Sequence, residues 1–529
     1  MHRTYKSVFL SFLIWIILFI SIIIFQKKIL ITALFWGTLV WTGVLCSKHS
    51  IIQNVCIERI EMRDKFIILV NIILVSILCI APMDLSPLWN GEIPDHRNQY
   101  ELLADAILEG HIDIRYDDYD VRLEQMEDPY DPDARREQNI QYHWDHAFYK
   151  GHYYMYFGVV PVFLLFIPYK VLFGTSLITF HATQIFVFFS IVAIFLLFYL
   201  LAKKFFSGIS LGTYLFTTSA SACISFGYCT QAPALYCTAI SSGFCMMLWS
   251  FICFFKAVYY EYKESRQVLF AALGAFLGAL AFGCRPPIAI ANICAIPLAI
   301  TYAKNYKGKH LVRNYIIISL PYMSIGALLM LYNYARFQNP FEFGQTYQLT
   351  CANQSMYADF WAQFDLIKQI NLGFKQFFEL GEVTKRFPYL NYGGYLVTYP
   401  LMWLLIPFFS QFEVRKALKK DELGLWMFFS ILTVALTTFA SIQWAPFMIE
   451  RYRLDGYYIV SIIAFMCIGY KLKTTDYCCK TAQIVEIVCI CSILFSILLF
   501  FRPFDANFAI LYPEKVDEIK RIIFNFFRN

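Results

Sequence analysis

The chain has 529 residues, 59% of them hydrophobic and only 16% charged, against roughly 25% charged in an average soluble protein. A soluble fold of this size has nowhere to bury so much apolar surface, which excludes an ordinary cytosolic enzyme, and the 19% aromatic content suits helices in lipid and at its interfaces. The formal charge of +6 raises nucleic acid as a partner, but the Lys and Arg residues sort into short loops between apolar runs, so no nucleic-acid partner is expected.

A helix rises 1.5 Å per residue, so crossing a hydrocarbon core about 30 Å thick takes an apolar run near 20 residues. About thirteen such runs are present: 7–26, 29–46, 66–82, 178–202, 207–228, 234–257, 268–284, 286–303, 314–335, 395–410, 423–447, 456–470 and 483–501. The fold class expected is an all-α polytopic membrane protein. The first run is read as an anchor and not a signal peptide, because Lys27, Lys28 and a second run follow it where a cleavage site of small residues would stand. Most of the 16 cysteines lie inside the runs, as Cys223, Cys245 and Cys467 do, where a thiol packs as a small hydrophobe.

Orientation follows from the Lys and Arg clusters, which short cytoplasmic loops retain. Lys48, Arg59, Arg63 and Lys65 share one loop; Lys203 and Lys204, then Lys256, Lys263 and Arg266, then Lys304, Lys307, Lys309 and Arg313 occupy later ones. Arg415, Lys416, Lys419 and Lys420, and finally Lys471, Lys473 and Lys480, complete the set. All fall on one side if residues 157–174, interrupted by Pro161 and Pro168, do not cross. The expectation is a multi-pass plasma-membrane protein with a cytoplasmic N-terminus and an extracytoplasmic C-terminus. It divides into N-terminal spans 1–82, an outer loop 83–177, a bundle 178–335, a second outer loop 336–394, C-terminal spans 395–501 and an outer tail 502–529.

Residues 83–156 carry seventeen Asp and Glu against six Lys and Arg, with His96, His111, His143, His146 and His152 among them. Most of these acids are expected simply to face water. Near the start of the loop, Asn90-Gly91-Glu92-Ile93-Pro94-Asp95-His96-Arg97 places an acid just after a turn-forming proline, close to the end of a span. Tyr100–Ile114 reads as a short amphipathic helix with Leu103, Ile107 and Leu108 on one face, stopped near Gly110. The loop closes with Trp144-Asp145-His146-Ala147-Phe148-Tyr149-Lys150-Gly151-His152-Tyr153-Tyr154-Met155-Tyr156-Phe157-Gly158, whose aromatics suit either stacking on sugar rings or an interfacial belt.

An acid soon after an early span, then YELLADAILEGHIDI, then WDHAFYKGHYYMYFGVVPV resembles the first outer loop of the C-type (GT-C) integral membrane glycosyltransferases, a superfamily that includes protein mannosyltransferases and aminoarabinose transferases. The resemblance implies a GT-C-like bundle with juxtamembrane helices in its outer loops. It implies transfer of a sugar from a polyprenyl-phosphate donor to a cell-envelope glycan, lipid or protein. By the same resemblance an acid of this loop is catalytic at the membrane surface: Asp95 first, Glu92 second, with His96, Asp145 and His146 around the substrate. No DxD or ExD pair accompanies Asp95, so a divalent cation stays possible but unassigned; Asp128-Pro129-Tyr130-Asp131-Pro132-Asp133 reads either as a hard-cation site or as an ordinary turn.

Three later segments complete the candidate site. Arg285, in Gly283-Cys284-Arg285-Pro286-Pro287, interrupts a long apolar stretch, either snorkelling to the interface or holding a lipid phosphate. The run Arg336-Phe337-Gln338-Asn339-Pro340-Phe341-Glu342-Phe343-Gly344-Gln345-Thr346-Tyr347-Gln348-Leu349 resembles a segment of a bacterial branch of the same superfamily. It suits either a structural lid or a pocket with Arg336 for phosphate, Glu342 and Gln345 for hydroxyls and Tyr347 for stacking. Glu450-Arg451-Tyr452-Arg453-Leu454-Asp455 resembles a segment near the end of such chains, with Arg451 and Arg453 either on the departing phosphate or as interfacial anchors. Residues 360–380 read as a surface helix turning Trp361, Phe364, Phe374 and Phe377 to lipid, and the tail as an interfacial helix with Val516, Ile519, Ile522, Ile523 and Phe526 on one face. A polytopic transporter or lipid flippase, or a non-catalytic envelope-assembly scaffold, are the alternative functions.

Overall fold

The computed structural model describes residues 50–90, 92, 98–357, 361, 364–445, 450–504 and 507–528. The expected spans 7–26 and 29–46, the two site candidates Asp95 and His96, and the Phe526 side chain lie outside the described residues. The principal elements are α1 (Met62–Ile80), α2 (Gln99–Leu108), the hairpin β1 (His146–Tyr149) and β2 (His152–Met155), α3 (Ile167–Phe173), α4 (Thr179–Phe205), α5 (Leu211–Gln231), α6 (Leu235–Tyr259) and α7 (Glu264–Cys284). They continue with α8 (Ala295–Asn305), α9 (Leu311–Phe337), α10 (Leu366–Phe378), α11 (Phe412–Lys420), α12 (Gly424–Trp444), α13 (Arg451–Thr474), α14 (Cys479–Phe500) and α15 (Pro513–Arg528).

Among the described residues nine helices are long and apolar enough to cross a membrane: Met62–Leu85, α4, α6, α7, Pro286–Asn305, α9, α12, α13 and α14. The chain is thus a multi-pass helical membrane protein. Two expected spans come out differently. Residues 395–410 form only the short helices Pro400–Trp403 and Leu405–Phe409, because Pro400 and Pro407 fragment the run, and ten residues of helix reach roughly 15 Å. The run 207–228 is helical as α5, but its many Ser and Thr residues lower its hydropathy below that of its neighbours. Several of those hydroxyls donate one turn back, as Thr217 to the Thr213 carbonyl at 2.7 Å and Ser225 to that of Ser221 at 2.8 Å. Small side chains also let backbones approach closely, and α5 is buried along almost its whole length.

The bundle is centred on α5, α6 and α13, while α9 rides on the outside with most of its apolar side chains exposed. Glycine sets one approach that matters to the site. A Cβ on Gly158 would stand 2.2 Å from the Gly283 carbonyl oxygen and 2.4 Å from that of Cys284. Only hydrogen fits there, so the end of the first loop lies directly against the end of α7.

At the opposite end of the bundle the basic loops join in pairs. Residues 55–58 hydrogen bond to 207–211 through Leu211 N–H to Val55 O at 2.7 Å and Ile57 N–H to Ile209 O at 3.0 Å. Arg313 and Asn314 donate to Glu264, and Lys473 to Asp421 at 2.6 Å.

Residues 162–173 form one π-helical turn and α3, packed on α2. Twelve residues reach roughly 18 Å, short of a crossing. On α2, Leu103 is fully buried, but Leu108 is 46% exposed and not on the packed face as expected, because the helix ends there. Helix α10 is amphipathic with the usual sense inverted. Its polar residues turn inward, Gln369 to Gln443 and Gln376 to Arg453, while Ile367, Ile370 and Phe374 are exposed. Phe377, expected to face lipid, instead packs on Tyr395 in the core. In the tail, Val516 of α15 is buried against a cluster containing Phe387 and Phe508.

Candidate functional site

Helix α7 ends because Arg285 precedes proline, which disfavours helical backbone; Arg285 is extended at φ −156°, and Pro286 opens the next helical turn. The resulting break forms one wall of a cavity of about 380 Å³. Tyr156, Phe157 and Gly158 from the first loop, Leu329, Asn333 and Arg336 from α9, Phe343 and Gln345 from the second loop, the end of α12 and Tyr452 of α13 complete it. Its walls are mainly apolar, with Arg285 and Arg336 the cations among the described residues that line it.

The cations differ. Arg285 makes a two-pronged pair with Asp455 of α13, Nε to Oδ1 at 2.6 Å and Nη2 to Oδ2 at 2.8 Å, with the carboxylate fully buried. Arg336, 4% exposed, donates only to neutral oxygens, Met155 O at 2.9 Å and Asn333 Oδ1 at 2.7 Å. Its guanidinium lies over the Tyr332 and Phe337 rings, 4.1 and 4.5 Å from their centroids, and its buried Nε has no partner among the described residues. Among the described residues no carboxylate comes within 4.0 Å of it. An unsatisfied buried N–H costs about 1–3 kcal/mol, so the site favours an anion or strong acceptor.

The two loops form one unit next to this cavity, a feature that alternation along either loop does not signal. Residues 347–349 run beside β1 through Asp145 N–H to Leu349 O at 3.0 Å, Leu349 N–H to His146 O at 2.9 Å and Phe148 N–H to Tyr347 O at 2.8 Å. Asp145 begins the turn into β1 with φ +58°, a left-handed conformation that Asp tolerates better than most residues. Its buried carboxylate accepts from the Tyr236 hydroxyl and from Gln348 Nε2, the latter at 2.8 Å. Gln99, which starts α2, donates to the Asp145 carbonyl at 3.1 Å.

The other candidates are structural in their contacts. His146 is buried; Nδ1 bonds the Trp144 carbonyl at 2.8 Å and Nε2 the Tyr116 hydroxyl at 2.7 Å, the neutral tautomer satisfying both. Burial pushes its imidazole down to about 3. Glu342 closes its own loop, accepting from Gly344 N–H and Thr346 Oγ1, each at 2.6 Å. Tyr347 stacks into a cluster with Tyr149 and Phe337. Neither Glu342 nor Tyr347 lines the cavity, whereas Gln345 does.

Arg453, expected near phosphate, is buried away from the cavity, where it ties α13 to the second loop through Gln376 Oε1 at 2.6 Å and Glu379. Arg451 lies on the Tyr236 ring, 3.7 Å from its centroid. Glu92 is exposed and accepts from the Asn90 side chain at 2.9 Å.

No group of three or more His, Cys, Asp or Glu is arranged to hold a metal among the described residues. The Asp128–Asp133 stretch is a turn: Asp128 accepts from Tyr130 N–H and Asp131 caps a short helix through Asp133 N–H, each at 2.9 Å. Sequence reading missed Tyr236 and Asn333; both sit inside apolar or aromatic runs where a single polar atom leaves no pattern.

No protein-family model matches the chain, and no curated protein matches it. Among solved structures it is similar to the oligosaccharyltransferase of Archaeoglobus fulgidus in its apo form, with a TM-score of 0.48 and 10% identity, over 82% of this chain and 56% of that one. The match thus spans little more than half of that protein's length.

Proposed function

We propose that the chain is a membrane glycosyltransferase that moves a sugar from a polyprenyl-phosphate donor to a glycan, lipid or protein acceptor on the extracytoplasmic side of the plasma membrane. The observation that carries this reading is Arg336: a buried guanidinium with, among the described residues, an orphaned Nε and no carboxylate partner, in the wall of a largely apolar cavity. A lipid phosphate supplies the missing acceptor, and a prenyl chain suits the apolar walls. In the reaction an acceptor hydroxyl attacks the anomeric carbon, the bond from that carbon to the phosphate oxygen breaks, and the polyprenyl phosphate departs with the bonding pair.

Charge gathering on that phosphate is stabilised by preorganised cations, usually the largest single contribution to such a step. Arg336 is the principal one in this reading; Arg285, already paired with Asp455, contributes an oriented but compensated charge. The proton of the attacking hydroxyl goes to a carboxylate, a contribution typically worth about 10²–10⁴-fold. Asp95 is assigned that role, with Glu92 second. A divalent cation is not required by any step as written.

Transfer from radiolabelled polyprenyl-phosphate sugars, assayed in membranes carrying the wild type, Asp95→Asn or Arg336→Ala, tests the reading. Loss of transfer in both variants supports it. Transfer that survives both substitutions, or a wild type inert with every polyprenyl-phosphate sugar offered, overturns it.

A further inference from the structure

The charged knot that opens α13 contains four ionic side chains of which three are matched. Glu450 pairs with Arg502 at 2.8 Å, Arg453 with Glu379, and Asp455 with Arg285. Arg451 is the exception: no carboxylate within 4.0 Å, and no hydrogen bond from its guanidinium, among the described residues. What holds it is the face of Tyr236, with the guanidinium carbon 3.7 Å from the ring centroid.

Tyr236 is itself fixed at its far end. Its hydroxyl donates to the Asp145 carboxylate, which Gln348 Nε2 also holds at 2.8 Å. A phenol that donates a hydrogen bond to a buried carboxylate has a more electron-rich ring, and a guanidinium over such a face is attracted more strongly, the more so where water is excluded. The stack lies beside the cavity: Phe157, in its wall, meets the Tyr236 ring edge-on with centroids 5.3 Å apart. Tyr452, the residue after Arg451, lines it. Tyr156, also in the wall, feels the whole group: burial raises its phenol, Tyr452 and Asp145 add to that, and Arg285 and Arg451 oppose it.

We propose that Tyr236 is a positioning residue that, anchored by Asp145, holds Arg451 as a second cation beside Arg336, so that both guanidiniums grip one lipid phosphate. The inference rests on the glycosyltransferase reading for the nature of that ligand, but it concerns a different set of contacts. Tyr236 does not touch the phosphate. It removes the freedom of a long side chain, and freedom already lost in the unliganded protein is not lost again on binding.

The test uses the full chain in detergent and a polyprenyl phosphate bearing no sugar, with the matching polyprenol as the phosphate-free control, titrated by native mass spectrometry. Arg451→Ala and Tyr236→Leu are each expected to weaken binding of the phosphate about tenfold while leaving the polyprenol unchanged. Because both remove the same grip, the double variant is expected to be no weaker than the weaker single one. Tyr236→Phe, which keeps the ring and loses only the anchor, is expected to fall between Tyr236→Leu and the wild type. It also decides the matter if Tyr236→Leu does not fold: affinity equal to the wild type in Tyr236→Phe then overturns the role given to Asp145. Additive losses in the double variant overturn the positioning role and leave the glycosyltransferase reading standing. A wild type that binds phosphate and polyprenol equally overturns both.

Discussion

The guanidinium of Arg285 closes on the carboxylate of Asp455 with both prongs at once, joining the break after α7 to the first turns of α13 across 170 positions of sequence. Removing one partner leaves the other charge buried and uncompensated, which costs about 3–5 kcal/mol in comparable pairs. Asp455→Asn is expected to lower the melting temperature in detergent sharply. Arg285→Met with Asp455→Leu is expected to melt above either single variant, as measured by intrinsic fluorescence.

Arg336 presents a planar fork between two aromatic rings, and a lysine reproduces neither the fork nor the stacking. Arg336→Lys is therefore expected to lose at least about tenfold in transfer under the proposed function. Its expression and monodispersity are expected to stay close to those of the wild type. Steady-state kinetics with a polyprenyl-phosphate sugar and size-exclusion chromatography separate the two effects.

The contact at Gly158 predicts a steep penalty for one methyl group. Gly158→Ala places a carbon 2.2 Å from a main-chain oxygen that no rotamer change can move, so the variant is expected to be recovered aggregated or poorly expressed. Gly326→Ala in α9, where nothing lies within 4 Å, is expected to be neutral or stabilising by about 0.5–1 kcal/mol. Size-exclusion profiles of the two preparations check this.

His146 gives the first loop a pH dependence whose sign is fixed. Its folded value is depressed to about 3 from an ordinary 6.5 by burial. The neutral form is therefore the one the fold accommodates, and the contribution is intact above pH 6.5. It is lost progressively as pH falls from 6.5 toward 3, at up to about 1.4 kcal/mol per pH unit. Melting temperature measured from pH 7.5 to 4.5 is expected to fall more steeply for the wild type than for His146→Gln.

Helix α10 is expected to lie in the outer interface on its Ile367, Ile370 and Phe374 face. A polarity-sensitive fluorophore on a cysteine replacing Ile370 is expected to report an apolar surrounding in nanodiscs and a wetter one in a short-chain amphiphile. The same label at Lys375 is expected to report water in both.

The hydropathy of the chain makes α4, α6, α7, α12, α13 and α14 legible, because a run that must satisfy its backbone inside lipid leaves no other choice than helix. It fails at 395–410, where the apolar run is short and two prolines fragment it, and it blurs at α5, whose Ser and Thr residues lower its hydropathy. Arg285 and Arg336 were legible because charge beside apolar runs is rare. Their different partners were not, since Asp455 and Asn333 are brought in by tertiary packing alone. Arg453 misled for the same reason: nothing in ERYRLD distinguishes the arginine that binds a glutamate from the one left on a tyrosine.

The pairing of residues 145–149 with 347–349 also has a meaning in time. During synthesis β1 emerges long before its neighbour, and the helices from Thr179 to Phe337 must be inserted while the acidic segment waits with one edge unmatched. Completion of the second loop is thus what seals the first. A nascent chain halted before residue 349 is expected to be cut near Asp145 more readily than the finished molecule, as limited proteolysis would measure.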